Sequence, residues 1–169
     1  IELLKTGIGH VIENDALLGQ FYINTAEAAY RMNDYEQSDA MFEKAIELDP
    51  KNALALNNYA YYLSVRNEKM EKAEEMSKKS LDINPDNASY QDTYGYILYK
   101  KGKYAQAEVW LKEALAKEGT SADINEHYGD VMYRLGNIDE AVKYWKIART
   151  MGGDPINLDQ KINDKKLVD

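Results

Sequence analysis

The side chains best suited to catalysis or metal binding lie together late in the chain, where Glu126 and His127 precede Asp130. At helical spacing, an imidazole and two carboxylates on one stretch could supply half of the ligands of a metal site. The only other histidine, His10, lies far upstream, and no second set of ligands is evident. We therefore interpret these residues as polar members of a binding surface, and we expect neither a metal nor a cofactor.

Motifs for other reactions are missing from the sequence. It contains no His-Glu-x-x-His pattern, no glycine-rich phosphate-binding loop and no nucleophile elbow. Because cysteine is also absent, neither a thiolate nucleophile nor a disulfide is available. These observations predict a protein that is not an enzyme.

The sequence repeats itself with a period close to 34 residues. Gly95 and Gly129 are 34 residues apart, as are Ala107 and Ala141. Self-similarity at this period is typical of arrays of helix pairs, in which each unit buries its apolar face against its neighbours. Such arrays usually serve as surfaces that hold other molecules.

Composition and charge limit the class of partner. Hydrophobic residues make up 44% of the chain and charged residues 30%, which is enough to bury a core and remain soluble. The net charge is -8, and the basic residues are interleaved with acidic ones. Nucleic acids and anionic membrane surfaces both require a concentrated positive patch. We therefore expect no nucleic acid and no direct membrane contact.

Turn residues mark the boundaries of the helices. The sequence Asp49-Pro50-Lys51-Asn52 recurs as Asn84-Pro85-Asp86-Asn87, in which each final asparagine can cap the next helix. Within the units, Asn33, Asn67, Gly102 and Gly136 occupy positions where a helix ends in the left-handed conformation. The signals predict helices at about 16–31, 35–48, 53–65, 69–82, 88–100, 104–117, 122–135, 138–150 and 154–166.

These helices predict a single array of four units with two different ends. The repeats are expected at 19–52, 53–87, 88–121 and 122–153, after a lead segment over 1–18. An apolar-periodic stretch over 1–13 is interpreted as a helix already under way, so we expect a piece of a longer chain. Residues 154–169 are expected to form a solvent-facing capping helix with Leu158 and Ile162 on its apolar stripe.

The third and fourth units carry the residues of a family resemblance. In the third these are Tyr94-Gly95, Leu98, Gly102-Lys103-Tyr104, Ala107, Leu111 and Ala114, and in the fourth Tyr128-Gly129, Met132, Gly136-Asn137, Ala141, Trp145 and Ala148. On these residues the chain resembles tetratricopeptide repeat (TPR) proteins over about 19–153. The resemblance implies an all-α fold, a right-handed α-solenoid of tandem antiparallel helix pairs. The second unit departs from the pattern by one extra residue in the turn around Arg66–Met70.

A second similarity concerns the source of the chain. The segment 56–63, Leu-Asn-Asn-Tyr-Ala-Tyr-Tyr-Leu, is similar to long TPR proteins of Bacteroides-type bacteria, which are often exported or lipid-anchored. This similarity favours a periplasmic or outer-membrane-associated lipoprotein parent, with a cytoplasmic protein as the alternative.

The resemblance also implies where a partner binds. In TPR arrays the first helix of each unit lines a concave groove, and on this face tyrosine recurs in every unit. Paired amides at Asn57 and Asn58 can bind the backbone of an extended peptide. The candidate peptide-binding residues are Tyr30, Asn57, Asn58, Tyr61, Asp92, Tyr96, Tyr99, Lys100, His127, Asp130, Tyr133 and Arg134. The alternative is that these tyrosines only pack between adjacent first helices.

Charge on this face favours a neutral or basic peptide. Its five carboxylates are Glu27, Asp92, Asp123, Glu126 and Asp130, against the three cations Arg31, Lys100 and Arg134. TPR domains that clamp a C-terminal carboxylate resemble one another in having cations at matching first-helix positions. Here those positions hold Ile23, Asn57, Asp92 and Glu126, so capture of a carboxylate terminus is not expected.

Two hypotheses for function remain. The first is a non-catalytic scaffold that binds a peptide or protein segment in the groove. The second is a structural connector that acts through end-to-end stacking or self-association, with the N-terminal helix over 1–13 as its contact.

Overall fold

The computed structural model describes residues 14–168, which form nine α-helices and no strand. The helices are α1 (Asp15–Arg31), α2 (Tyr35–Leu48), α3 (Ala53–Val65), α4 (Met70–Ile83), α5 (Ala88–Lys100), α6 (Tyr104–Lys117), α7 (Ala122–Arg134), α8 (Ile138–Thr150) and α9 (Pro155–Asp164). Each predicted boundary lies within about two residues of these bounds. The lead helix expected over 1–13 falls outside the described residues.

Asparagine side chains begin the first helices of the second and third pairs. The side chain of Asn52 accepts a hydrogen bond from the backbone N–H of Ala55 at 3.0 Å, and that of Asn87 accepts one from Tyr90 at 3.1 Å. Each bond satisfies one of the backbone donors that a helix N-terminus leaves unpaired. The two turns of similar sequence therefore start their helices in the same way.

The turn inside each helix pair is closed by a residue in the left-handed conformation. This residue is Asn33 or Asn67 in the first two pairs, with φ of 60° and 57°. It is Gly102 or Gly136 in the last two pairs, with φ of 74° and 85°. Asparagine tolerates this conformation best among residues with a side chain, so the four turns are conformationally equivalent.

The extra residue of the second pair is accommodated just after Asn67. Lys69 also adopts a left-handed conformation, with φ of 45°, and its side chain makes no cap for α4. Arg66, at the start of this turn, extends to the carboxylate of Asp39 in the preceding pair and lies over the ring of Tyr35. The turn that holds the extra residue thus contacts the neighbouring pair without interrupting the array.

Close packing within a pair depends on small residues. A Cβ atom at Gly95 would lie 2.7 Å from Cγ of Leu111, and one at Gly129 would lie 2.6 Å from Cδ1 of Trp145. Both distances are far below ordinary contact, so the paired helix approaches closely at these glycines. Leu111 and Trp145 are completely buried.

The helix α9 closes the end of the array. Asp154 caps it by accepting from the backbone N–H of Ile156 at 3.0 Å, and Pro155 occupies its first turn. Leu158 is fully buried against the last pair, and Ile162 packs beside it. The cap therefore covers apolar surface that would otherwise face solvent.

Candidate functional site

Side chains connect each first helix to the next along one side of the array, formed by α1, α3, α5 and α7 and here termed the first-helix face. Asn58 Nδ2 on α3 donates to Glu27 Oε1 on α1 at 2.8 Å. His127 Nδ1 on α7 lies 2.9 Å from Asp92 Oδ1 on α5. Polar contacts between equivalent helices therefore recur along this face, so a ligand lying there would meet several units at once.

Aromatic rings form a second set of contacts along this face, here termed the aromatic row. The centroids of Tyr30 and Tyr62 are 4.1 Å apart, and those of Tyr61 and Tyr96 are 6.1 Å apart. Tyr96 stacks on the ring of His127 at 4.3 Å. The tyrosines pack between adjacent first helices, as the alternative interpretation predicts. They also remain partly exposed to solvent.

The aromatic row continues to the end of α5. The ring of Tyr99 lies 6.1 Å from that of Tyr96, and Lys100 Nζ lies 6.0 Å from the Tyr96 centroid. The hydroxyl of Tyr99 lies near Arg134 on α7 and raises the pKa of Arg134. The two cations thus lie at the opposite end of α5 from the polar contacts of Asp92.

A cavity of about 210 Å³ opens between α3, α5 and α7, here termed the central cavity. Five predicted site residues line it: Asn57, Asn58, Tyr61, Asp92 and His127. The other lining residues are Tyr62, Ser89, Thr93, Ser121, Asp123 and Ile124. Three successive first helices therefore contribute to one concavity, which mixes carboxylates, hydroxyls, amides and aromatic rings.

Asn57 has an unpaired acceptor in the wall of the central cavity. Its Nδ2 donates to Asn58 Oδ1 at 3.2 Å, whereas its Oδ1 is buried and has no hydrogen-bond partner within residues 14–168. Only 6% of the residue is exposed. A buried amide oxygen without a partner is energetically unfavourable, and in native proteins it calls for an explanation such as a ligand.

His127 carries the one basic side chain among the residues that line the central cavity. Burial opposes its protonation, but the carboxylates of Asp92, Asp130 and Asp123 outweigh burial and raise the pKa of His127 above its ordinary value. The hydrogen bond to Asp92 acts in the same direction. The imidazolium form therefore persists to higher pH than in a free histidine.

Two of the predicted site residues, Asp130 and Tyr133, lie toward α9 rather than in the central cavity. Lys161 Nζ binds Asp130 Oδ1 at 2.8 Å and Glu126 Oε1 at 2.7 Å. The indole of Trp145 donates to Asp130 at 2.8 Å, and the Tyr133 ring lies 6.0 Å from that of Trp145. These groups form a buried polar contact between the last pair and the cap.

Sequence reasoning missed the part played by Lys161. The polar side of α9 was expected to face solvent, yet only 3% of Lys161 is exposed. The two carboxylates of α7 outweigh the effect of burial and raise the pKa of Lys161. The sequence did hold a signal for this contact, because Glu126 and Asp130 are two acidic residues of α7 without an evident basic partner. The periodicity of α9 alone does not reveal the contact.

Six lining residues of the central cavity were not among the predicted peptide-binding residues, and three of them, Tyr62, Ser121 and Ile124, were not placed on the first-helix face either. They fall outside the face that helical periodicity assigns to α3 and α7. Tyr62 reaches the cavity because its long ring packs against Tyr61 at 5.6 Å. Ser121 precedes α7 as its cap, so a count of helical positions does not include it.

The part of the chain that the structure describes contains neither a candidate metal site nor a membrane-spanning helix. No group of three or more histidine, aspartate or glutamate side chains is placed there to hold a metal ion. None of the helices over 14–168 is long and apolar enough to cross a membrane.

Comparison with known proteins identifies related sequences and folds. The family model described as tetratricopeptide repeat matches residues 18–156. No curated protein sequence matches the chain.

Among solved structures, a type IV pilus biogenesis factor, PilW, superposes with a TM-score of 0.78 at 20% identity, covering 95% of this chain and 76% of its own. PilF of Pseudomonas aeruginosa gives 0.75 at 22% identity, covering 89% of this chain and 68% of its own. YrrB, described as a TPR protein with an unusual peptide-binding site, gives 0.66 at 22% identity, covering 94% and 80%. At these identities the likeness concerns the fold.

Proposed function

The chain belongs to the tetratricopeptide repeat family, and on that premise we propose that it is a non-catalytic scaffold whose first-helix face binds an extended peptide segment of a partner protein. The observation that carries the proposal is the central cavity, which three successive first helices share. A ligand seated there contacts several units at once. This is how a repeat array gains affinity that a single unit lacks.

The chemistry of the central cavity suits a peptide backbone. Each peptide residue presents one N–H donor and one C=O acceptor. The amides of Asn57 and Asn58 and the hydroxyls of Ser89 and Thr93 supply both kinds of partner within one cavity. The mixture of donors and acceptors favours an extended segment, whose backbone groups are unpaired, over a folded helix.

The aromatic row supplies apolar contact area beside these polar groups. Tyr61 and Tyr96 are partly exposed and held by neighbouring rings, so little side-chain entropy remains to be lost on binding. Tyrosine is enriched among the residues that contribute most to binding at protein interfaces. The solved TPR protein YrrB, described as having a peptide-binding site, provides a precedent within the same fold.

A phage-displayed library of random peptides, selected on this protein, tests the proposal. Ser89→Arg places a long side chain at the exposed mouth of the central cavity, and Gln106→Arg makes the same kind of change near the exposed start of α6. We expect selected peptides to bind Ser89→Arg at least about tenfold more weakly than wild type and to bind Gln106→Arg normally.

Two outcomes would contradict the proposal. Equal binding of the selected peptides to both variants would place their site away from the central cavity. If no peptide is enriched and sedimentation shows a mass that rises with protein concentration, the connector hypothesis replaces the scaffold.

A further inference from the structure

We propose that the central cavity binds one positively charged side chain of the partner, a lysine ammonium or an arginine guanidinium, as the contact that determines specificity. The inference rests on the proposed function for the remainder of the partner. Peptide binding alone does not say which kind of side chain occupies the cavity, and the inference names its chemical class.

The size of the central cavity suits one long side chain. Its volume of about 210 Å³ is several times the roughly 30 Å³ that one water molecule occupies in the liquid. It is smaller than the ~300–1,000 Å³ of pockets that enclose a whole small-molecule ligand. A side chain can enter from the first-helix face, while the backbone of its peptide stays at the mouth of the cavity, beside the exposed Ser89 and the partly exposed Asn58.

Uncompensated negative charge is concentrated at this cavity. Asp92 and Asp123 both line it, and within residues 14–168 Asp123 has no ion-pair partner. No lysine or arginine is among the described residues that line it, and the single basic group, His127, already binds Asp92. A cation entering the cavity therefore meets an attractive field.

The other carboxylates of the first-helix face are already engaged. Glu27 accepts from Asn58, and Glu126 and Asp130 share Lys161 of α9. Lys161 thus neutralises one of the two charges at the C-terminal end of this face. Among the five carboxylates, Asp123 alone has neither an ion pair nor a side-chain hydrogen bond within residues 14–168.

An independent observation points to the same ligand class. Asn57 Oδ1 is buried in the cavity wall and has no donor within the described residues. Ammonium and guanidinium groups carry donors and no acceptor, so either one would supply the missing hydrogen bond to an Asn57 amide that turns toward the cavity. A carboxylate or an unprotonated phosphate supplies none and would be repelled by Asp92 and Asp123.

The aromatic rings contribute to the same preference. Tyr61 lines the cavity and Tyr96 packs against both Tyr61 and His127. Burial, followed by the nearby carboxylates of Asp123 and Asp92, raises the pKa of Tyr61. The hydroxyl therefore stays neutral, and a neutral tyrosine ring attracts a cation that lies over its face.

Short peptides with blocked ends provide the test, because their only charge is on one side chain. The host sequence acetyl-Ala-Ala-X-Ala-Ala-amide is titrated into the ¹⁵N-labelled protein with X as lysine, Nε-acetyl-lysine, arginine or citrulline. We expect the charged peptides to bind at least about tenfold more tightly than their neutral counterparts and to shift the side-chain amide signals of Asn57.

Two isosteric variants locate the effect. Asp123→Asn removes a charge from the first turn of α7, at the cavity, and Asp139→Asn removes one from the first turn of α8, away from it. Both residues are exposed, so both variants are expected to fold. Asp123→Asn should abolish most of the preference for lysine over acetyl-lysine, whereas Asp139→Asn should leave it unchanged.

Equal affinities for charged and neutral peptides would overturn the inference, as would equal effects of Asp123→Asn and Asp139→Asn. Tighter binding of a peptide whose side chains are all uncharged but whose N-terminal amine is free would also overturn it, because the cavity would then bind a chain terminus.

Failure of this inference is distinguishable from failure of the proposed function. If neutral peptides bind as well as charged ones and Ser89→Arg still weakens them, peptide binding stands without the cationic contact. If the random library yields no peptide and the charged pentapeptides do not bind either, the proposed function is wrong and the cationic contact falls with it.

Discussion

At the scale of single residues, the closest approach between paired helices requires a glycine, which has no side chain. Gly129 lies against Trp145, whose indole is both fully buried and hydrogen-bonded to Asp130. The ring cannot move aside without losing that bond, so the position tolerates no Cβ atom. Gly19 of α1 offers a comparison, because its nearest neighbour, Leu48 Cδ2, would lie an ordinary 3.7 Å from a new Cβ.

We predict opposite effects for two glycine-to-alanine changes. Gly129→Ala should lower the free energy of unfolding by about 1–3 kcal/mol, since it overpacks the pair. Gly19→Ala should raise it by about 0.5–1 kcal/mol, since alanine favours the helix and the site has room. Chemical denaturation of both variants measures the difference. A loss of stability in Gly19→Ala equal to that in Gly129→Ala would show that packing at Trp145 is not the cause.

A second prediction at this scale concerns the proton on His127. In Asp92→Asn, the effect of burial should dominate and the pKa of His127 should fall. NMR titration of the imidazole signals measures it, and His10→Gln identifies the signal of the second histidine in the chain. An unchanged pKa would mean that the 2.9 Å contact with Asp92 does not exist in solution.

The same contact makes stability depend on pH. Because the pKa of His127 is raised in the folded protein above its ordinary 6.5, its contribution to stability is fully present below that value. The contribution is lost as pH rises through the folded pKa. The stability difference between wild type and Asp92→Asn should therefore shrink as the pH of denaturation experiments is raised from about 6 to about 9. A difference that grows over this range would contradict the assignment.

At the scale of helices and turns, the second pair shows how an inserted residue is tolerated. Lys69 holds a left-handed conformation and makes no cap, a combination that costs stability in a residue with a side chain. Its ammonium gains only a half-exposed ion pair with Asp39 at 3.3 Å. Arg66 binds the same carboxylate from a more buried position, so the contribution of Lys69 to that contact is small.

We expect Lys69→Gly to stabilise the protein by about 0.5–1 kcal/mol, because glycine adopts the left-handed conformation without strain. Lys79→Gly is the matched control, since Lys79 also makes a surface ion pair but lies inside α4. It should destabilise by about 1 kcal/mol. Thermal and chemical unfolding compare the two variants, and a loss in both would show that the turn at Lys69 is not strained.

The helices were more predictable from sequence than the contacts between them. Residues such as Asn52 and Gly102 fix helix ends through local hydrogen bonds and backbone conformation, which short-range patterns reveal. The assembly of Asn57, Asp92 and His127 in one cavity was partly predictable, because a common period places them on equivalent helices. The ion pair of Lys161 was not, because α9 follows no repeat and its partners lie on α7.

At the scale of the whole molecule, each helix pair packs mainly against its neighbours in sequence. Damage at one end of such an array is expected to remain local, since stability is a sum of units and of the interfaces between them. The buried contact of Lys161 with α7 offers a way to test this, because it joins only the cap to the last pair.

Lys161→Met should leave the carboxylate of Asp130 buried without its cation and destabilise the C-terminal end by about 3–5 kcal/mol. Hydrogen exchange should show lost protection in α7, α8 and α9 and little change in α1 and α2. Lys166→Met, a change at an exposed residue nearby, serves as the control. Uniform loss of protection along the chain would mean that the array unfolds as one unit.

Within residues 14–168, the ion pairs that join one helix pair to the next helix pair all have the same direction. Across these joints the acid comes from the earlier pair or the turn that ends it and the base from the later one: Asp39 with Arg66 and Lys69, Glu43 with Lys72, Glu71 and Glu74 with Lys101, Glu74 with Lys103, Asp86 with Lys117, and Asp92 with His127. Each pair is therefore a polar module with unlike edges. An added helix pair would meet a complementary edge on both sides. A helix pair in the reverse orientation would bring like charges together. The array can therefore be lengthened but not reversed.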